Sequence, residues 1–259
     1  MRLLSVLFCV LSLVGCRYDG RGIAMKGIDI WKAVENEQLD LIRQYVAEGG
    51  DLEIGRRMKG KTPLFHAMDL EKRESFEELL RLGASPNTIC RRGGTVTCPL
   101  HWAAMAEDPY WLERLLENGG DVDLKLIRGN VFDLPMSFAV SSSASLENVK
   151  LLVEHGADVN AVVQSPDFTA VSRAANTRNT DKWWKVLYLL EQDADYEKGG
   201  YSHRVRSSLM QTMEEHVRLR SIAMREPGFQ DVLQWLKDHG ADPAQARWDG
   251  AKWVYDLKP

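Results

Sequence analysis

A short turn-forming triplet, usually glycine followed by a small residue and an acidic one, recurs along the chain. Its copies are Gly49-Gly50-Asp51, Gly83-Ala84-Ser85, Gly119-Gly120-Asp121, Gly156-Ala157-Asp158, Asp193-Ala194-Asp195 and Gly240-Ala241-Asp242. Their first residues are separated by 34, 36, 37, 37 and 47 positions. A repeat of this length forms one supersecondary unit, which buries its apolar face only by stacking on its neighbours. We therefore expect an array of about six similar units.

A second marker precedes the middle triplets in the same register. Its copies are Thr62-Pro63-Leu64-Phe65-His66-Ala67, Cys98-Pro99-Leu100-His101-Trp102-Ala103, Leu134-Pro135-Met136-Ser137-Phe138-Ala139 and the degenerate Thr169-Ala170-Val171. Period and motif together resemble the ankyrin repeat, a turn followed by two antiparallel helices. The resemblance covers roughly residues 27–243. It implies an all-α ankyrin-repeat solenoid of about six helix-turn-helix units with finger loops between them.

The physical chemistry of the repeat agrees with this assignment. Proline fits the first turn of a helix, and glycine fits the left-handed turn after one. Asp193 replaces that glycine in the fifth unit, and aspartate tolerates the left-handed conformation. An apolar residue stands four positions before each turn, where an inter-repeat core requires one: Tyr45, Leu79, Leu115, Leu152, Leu189 and Leu236. The next position becomes polar in the last unit, at Lys237, as a terminal repeat needs.

The N-terminus has a different character from the array. Arg2 precedes an apolar run over residues 3–14 that is too short to be a permanent membrane span, so residues 1–15 are predicted to be a signal peptide. The run ends in Leu13-Val14-Gly15-Cys16, which resembles the bacterial lipobox. That resemblance implies acylation of Cys16, and Arg17 at the next position favours the outer membrane, with the body in the periplasm. An ordinary secretory signal with an accidental cysteine is the alternative.

Three further segments complete the predicted organisation. Residues 16–27 are glycine-rich and read as a lipidated tether, and translation from Met25 would give a minor cytosolic form. The array is expected over residues 28–243, with an irregular longer unit at about 194–242 in which residues 204–220 form a lengthened first helix. Residues 244–259 form an aromatic tail that contains Trp248, Trp253 and Tyr255. The tail either folds back over the last helices or exposes an aromatic patch.

The chemistry-bearing residues mostly have structural explanations. His66 and His101 are assigned to the histidine of the ankyrin motif, and His155 and His239 precede helix-ending glycines. No nucleophile elbow, phosphate-binding glycine loop or zinc motif occurs in the sequence. We therefore expect no enzyme, no catalytic residue, no metal and no cofactor.

Two cysteines flank one fingertip, at Cys90 and Cys98. In an oxidising periplasm they either form a disulfide or remain free buried thiols. Two adjacent tryptophans, Trp183 and Trp184, open a second helix in the fifth unit. Since adjacent helical positions point about 100 degrees apart, one of them is expected in the core and the other at the surface.

Charge is unevenly distributed, although the net formal charge is only −4. The expected fingers carry the basic residues Arg56, Arg57, Lys59, Lys61, Arg91, Arg92, Lys125 and Arg128. Acidic residues gather in the helices instead. This pattern predicts a basic ridge that steers a protein with an acidic face, unless the charges only make the loops soluble. Met68, Trp102 and Met105 are the candidate apolar anchors on the first helices.

The combination of lipobox and array resembles the small bacterial ankyrin lipoproteins that serve as immunity partners of type VI secretion phospholipase effectors. The resemblance implies a stoichiometric inhibitor that occludes a lipase at the membrane where the lipase acts. A general envelope scaffold that binds an endogenous protein is one alternative. Contact of the basic fingers with anionic lipid head groups is another. A nucleic-acid partner is not expected, because the net charge is negative.

Overall fold

The computed structural model describes residues 27–55, 60–92, 95–129, 131–141, 144–164, 168–178, 181–197, 201–202, 205–206, 209–218, 222–248 and 253–255. Helices follow one another in pairs within these ranges. The helices are α1 Ile30–Glu35, α2 Leu39–Ala47, α3 Pro63–Asp69, α4 Arg73–Arg81, α5 Pro99–Met105, α6 Tyr110–Glu117, α7 Pro135–Ala139, α8 Leu146–Glu154, α9 Ala170–Ala175, α10 Lys182–Glu191, α11 Leu209–Arg218 and α12 Phe229–Asp238. Among the described helices, none combines the length and apolar character needed to cross a bilayer.

The chain divides into two compact units. The first comprises Met1–Pro99 and Glu117–Gly120, and the second comprises Leu100–Leu116 and Asp121–Pro259. In the first unit, α1 packs on α3, and α2 packs on α4. In the second unit, α7 packs on α9, and α8, α10 and α12 stack in succession. First helices therefore stack on first helices and second helices on second helices, as an array of repeated hairpins requires.

The first helices begin where the sequence supplies a cap. The Thr62 hydroxyl accepts a hydrogen bond from the Phe65 amide, and Pro63 occupies the first turn of α3, where no intrahelical donor is needed. The same cap recurs at the start of α9, where Thr169 accepts from the Ser172 amide. Each cap satisfies one of the amide groups that a helix start leaves unpaired.

The turns after the second helices adopt the predicted left-handed conformation. The glycine that opens each glycine-led triplet has a positive φ, between 80° and 92°. Asp193 adopts the same conformation with a φ of 62°, which confirms that aspartate takes the place of glycine in the fifth unit. Four residues earlier in each unit, the predicted apolar side chains lie in the core: Tyr45, Leu79, Leu115, Leu152, Leu189 and Leu236.

The fingers contain short antiparallel hairpins, so the all-α prediction is incomplete. Strands β1 Cys90–Arg92 and β2 Thr95–Thr97 form one hairpin. Strands β3 Leu126–Arg128, β4 Val131–Asp133, β5 Val162–Gln164 and β6 Phe168–Thr169 form a four-stranded sheet in that order. The two fingers of this sheet join through the pairing of Asp133 with Gln164. Backbone pairing within and between fingers therefore gives them fixed shapes.

The last part of the array is longer than the other units, but the predicted helix over residues 204–220 begins too early. Strands β7 Tyr201–Ser202 and β8 Val205–Arg206 form another finger hairpin, and α11 starts only at Leu209. Val205 therefore belongs to a strand, since the finger pattern continues into this unit. Helix α11 has 10 residues, whereas α9 has 6. A 3-10 helix, Ile222–Arg225, then leads to α12, and β9 Ala246–Trp248 pairs with β10 Trp253–Tyr255 in the tail.

Polar side chains join consecutive helix pairs at one recurring position, eight residues before the turn. Ser75 donates to the carbonyl of Val34 at 3.0 Å. Asn148 donates to the carbonyls of Ala103, Ala104 and Ala106, at 2.7 to 3.3 Å. In each case the acceptors lie at the end of the preceding first helix, where carbonyl groups lack intrahelical partners.

Lys185, on α10, occupies the same position in the following helix pair, eight residues before the turn at Asp193. It places an amino group in the core. It is fully buried, and its ammonium group donates to the carbonyls of Ala139, Ser141 and Ala144, at 2.6 to 3.1 Å. Three donors meet three acceptors, and the cation lies at the negative end of a helix. Burial lowers the pKa of Lys185.

Candidate protein-binding surface

The predicted basic residues fall into two groups in the structure. Arg56, Arg57, Lys59 and the side chain of Arg92 lie outside the described residues, as does Cys16, the predicted lipidation site. Arg91 is exposed on β1 in the first unit, and Lys125 and Arg128 are exposed on the β3–β4 finger of the second. The structure therefore describes the side chains of the predicted ridge only at Lys61, Arg91, Lys125 and Arg128.

Two of the described basic side chains are bound to carboxylates of the chain itself. The Lys61 ammonium lies 2.5 Å from an Asp69 carboxylate oxygen and 4.3 Å from the centre of the Phe65 ring. Arg128 forms an ion pair with the buried carboxylate of Asp133. Carboxylates so close reduce the positive field that these side chains offer to a partner. This local pairing weakens the prediction of a basic ridge.

The Arg128–Asp133 pair belongs to a small network beneath the finger. His101 Nε2 lies 3.3 Å from the Asp133 carbonyl oxygen, so this nitrogen is the donor. Burial lowers the pKa of His101 to about 4, which keeps the imidazole neutral at physiological pH. Arg173, half-buried on α9, is attracted by the Asp133 carboxylate and donates to the Ser137 carbonyl. The network anchors the finger to α5 and α9.

The outward face of the same finger is apolar. Ile127 and Phe132 are cross-strand partners and therefore share a face, opposite the face of Leu126 and Asp133. Ile127 is 52% exposed, and Phe132 is half-buried. The Lys125 ammonium lies 5.3 Å from the centre of the Phe132 ring. Sequence reasoning missed Ile127 and Phe132, because a three-residue strand such as Leu126-Ile127-Arg128 is too short to show an alternation of apolar and polar residues.

The predicted first-helix anchors have different environments. Met68 is fully buried, so its proposed role as a partner anchor is wrong: the inward face of α3 packs this side chain into the core. Met105 is 38% exposed and Trp102 is half-buried on α5. The prediction for the tryptophan pair is confirmed, because Trp183 is fully buried and Trp184 is 40% exposed.

Cys90 and Cys98 are buried thiols that form no disulfide, so the disulfide interpretation is wrong. Cys90 pairs with Thr97 across the hairpin, and Cys98 follows directly after β2. The two sulfur atoms contact different carbonyl groups: Cys90 Sγ lies 3.8 Å from the Thr88 oxygen, and Cys98 Sγ lies 3.5 Å from the Pro86 oxygen. Burial also raises the pKa of the Cys90 thiol and makes it less reactive.

The histidines have the structural roles expected of most of them, with one reassignment. His155 and His239 each place Nδ1 within 2.8 Å of the carbonyl four residues earlier. His66 does not occupy the motif histidine position, because Phe65 follows Thr62-Pro63-Leu64 there. Its Nε2 instead lies 3.0 Å from a Glu35 carboxylate oxygen on the preceding first helix.

The other two histidines lie near the end of the array. His203 falls outside the described residues. His216 packs edge-on against Trp183 and Phe229, and burial lowers its pKa. No cluster of three potential metal ligands occurs in the part of the chain that the structure describes.

Comparison with known proteins agrees with the helix pairing. Residues 30–126 match the family described as "Ankyrin repeats (3 copies)". The chain is 33% identical over 186 residues to the nuclear factor NF-kappa-B p105 subunit of Gallus gallus, an alignment that covers 71% of this chain and 17% of that protein. It is 36% identical over 75 residues to the 2-5A-dependent ribonuclease of Homo sapiens, covering 29% and 10%.

A putative palmitoyltransferase ZDHHC13 of Danio rerio is 25% identical over 188 residues, covering 72% of this chain and 28% of that protein. The chain thus spans less than a third of the length of these curated relatives. Ankyrin repeats generally serve protein–protein interaction rather than catalysis. The chain therefore contains ankyrin repeats over residues 30–126, and its mostly helical fold fits an ankyrin solenoid.

Proposed function

We propose that the chain is a membrane-tethered periplasmic lipoprotein that binds and neutralises a type VI secretion phospholipase effector. The observation that carries the proposal is the succession of Leu13-Val14-Gly15-Cys16 and a protein-binding repeat array in one chain. A phospholipase acts at a membrane surface. An inhibitor held on that surface meets it at a raised effective concentration.

The proposed mechanism is occlusion. The array binds the effector and blocks either its active site or its approach to lipid, and no chemical step is needed. Ile127, 52% exposed, and Met105, 38% exposed, supply apolar area on a finger and on a first helix. Apolar side chains of this kind contribute to binding when a partner covers them, because their surface is then removed from water.

The ion pairs of the fingers favour a protein over an anionic membrane surface as the partner. Lys61 and Arg128 each already contact a carboxylate. Binding to phosphorylated head groups would require several cations that act together. A protein partner can use apolar contacts at the same fingers without such cations. An envelope scaffold that binds an endogenous protein remains the competing function.

The test uses the full chain, recovered from envelope with its natural N-terminus, as bait for envelope extract and for the product of the adjacent reading frame. The proposal predicts a bait that begins at acylated Cys16 and stoichiometric capture of a lipase. Capture of a different envelope protein alone would replace the immunity function with a scaffold function. A bait without lipid on Cys16 would remove the tether from the proposal.

A matched variant tests the basic ridge separately. Arg56, Arg57, Arg91 and Arg92, each changed to glutamate, reverse the fingertip charge outside the ion pairs described above. Loss of capture by this variant would show that the fingers steer the partner electrostatically. Undiminished capture would show that these charges are only a solvated surface.

A further inference from the structure

One small surface of the second unit combines an exposed apolar side chain with a cation. We define the finger patch as Lys125, Ile127 and Phe132, which lie on or beside the outward face of the β3–β4 hairpin. Ile127 has the largest exposed fraction, 52%, among the exposed large apolar side chains of the described residues. Its cross-strand partner Phe132 is half-buried and extends the apolar area. The finger patch is an apolar surface with a positive edge.

The inward face of the same hairpin fixes the position of this surface. Leu126 is 2% exposed, and the buried carboxylate of Asp133 holds Arg128. The Asp133 main chain also pairs with Gln164 of the next finger and accepts a hydrogen bond from His101. A partner therefore meets a preformed surface, and little conformational entropy is lost on binding.

The charges beside the patch select the partner. The Lys125 ammonium lies against the Phe132 ring at 5.3 Å from its centre, so a positive charge stands beside the apolar pair. On the opposite face, Arg128 is already paired with Asp133 and does not compete for an incoming carboxylate. A carboxylate near Lys125 would gain a charge-assisted hydrogen bond while an adjacent apolar side chain covers Ile127.

We propose that the finger patch binds a protein segment in which an apolar side chain stands next to an aspartate or glutamate. The inference rests on the proposed protein-binding function and deepens it by naming the chemistry of the bound segment. It assigns the main contact to Ile127 and Phe132 rather than to the basic fingertips. The Lys125 ammonium favours segments that carry a carboxylate, and the apolar contact with Ile127 supplies most of the affinity.

The test does not depend on the effector. The full chain, purified in mild detergent and immobilised, selects from a displayed library of short random peptides, with counter-selection on the Ile127→Asp variant. The expected peptides carry an acidic residue next to an aliphatic or aromatic one. Synthetic copies should lose about tenfold or more in affinity for Ile127→Asp and Ile127→Ala. Lys125→Gln should weaken binding less and reduce its dependence on salt.

Leu70→Ala is the matched control, because Leu70 is a similarly exposed aliphatic residue, at 42%, in the first unit. It should leave peptide affinity unchanged. Failure to recover peptides that depend on Ile127, or recovery of basic or uncharged ones, would overturn the inference. Peptide binding without capture of a lipase would instead contradict only the immunity function, so the two failures are distinguishable.

Discussion

Arg128 pairs with the carboxylate of Asp133, five residues further along the chain, and this contact fixes the β3–β4 finger from beneath. The two side chains are unequally buried: that of Arg128 is 46% exposed, and that of Asp133 is 6% exposed. The stability cost of breaking the pair therefore depends on which of the two residues is replaced. Without Arg128 the Asp133 carboxylate stays buried with one cation fewer beside it, whereas without Asp133 the half-exposed Arg128 can turn toward water.

The first prediction follows from this asymmetry. Arg128→Met should lower the free energy of unfolding by about 2–3 kcal/mol, because the buried carboxylate of Asp133 loses the arginine that forms an ion pair with it. Asp133→Asn should cost about 1–2 kcal/mol, because it leaves a half-exposed arginine and a polar amide. Urea denaturation of both single variants and the double variant measures the two costs and their coupling. An equal loss of unfolding free energy in the two single variants would show that the difference in burial between Arg128 and Asp133 does not affect stability.

The second prediction concerns the buried ammonium of Lys185. Lys185→Met leaves the carbonyls of Ala139, Ser141 and Ala144 without this donor. We expect the free energy of unfolding to fall by about 2–4 kcal/mol, because buried acceptors lose their partners. Lys237→Met is the control, since Lys237 is exposed on α12. A melting temperature unchanged in Lys185→Met would contradict the capping role.

The third prediction is an acid-dependent loss of stability through Glu78. Hydrogen bonds from Arg81 and Arg43 lower the pKa of Glu78 from 4.5 to about 2. A carboxyl with a lowered pKa stabilises the fold above its unfolded pKa, and this contribution disappears as pH falls toward the folded value. The urea midpoint should therefore drop between about pH 5 and pH 2.

Glu78→Gln tests that dependence. The variant should lose about 1–2 kcal/mol at neutral pH, a modest value because both arginines are largely exposed. Its stability should then change less with pH than that of the wild type. Glu74→Gln, at an exposed position of the same helix, should follow the wild-type curve. Parallel curves for Glu78→Gln and the wild type would assign the acid sensitivity to other groups.

The fourth prediction separates backbone strain from crowding at Gly228. This residue has a φ of 79°, and an added Cβ would lie 3.1 Å from atoms of both Trp183 and Trp184. Gly240 has nearly the same φ, 80°, with open space around its Cβ position. Gly240→Ala should cost about 1 kcal/mol of unfolding free energy, and Gly228→Ala about 2–3 kcal/mol. Thermal melts of the two variants give the contribution of crowding as their difference.

Local rules predicted most of the array. The left-handed turn at Asp193 and the burial of Leu189 follow from residue type and position alone. The finger strands were missed because three-residue strands carry too little periodicity, and their pairing with neighbouring fingers depends on the stack. The ion pair of Arg128 was missed for the same reason, since its burial arises only once α5 and α9 support the finger.

The candidate surface was predicted less well than the fold. From the charge pattern of the sequence we predicted that the basic residues of the fingers bind the partner. The sequence does not show that Lys61 and Arg128 form ion pairs with carboxylates of the chain itself. Met68 looked like an anchor because an apolar residue on an amphipathic helix is equally compatible with core and interface. Ile127 emerged only from the register of the hairpin.

The most direct test of the proposed function is whether the full chain inhibits the product of the adjacent reading frame, which the proposal expects to be a phospholipase, on lipid vesicles. Effector activity is measured while the chain is titrated in, with Ile127→Asp and Leu70→Ala in parallel. We predict that activity falls to background at an equimolar ratio, that Ile127→Asp requires a large excess, and that Leu70→Ala behaves as the wild type. Full phospholipase activity at saturating wild-type chain would contradict this prediction.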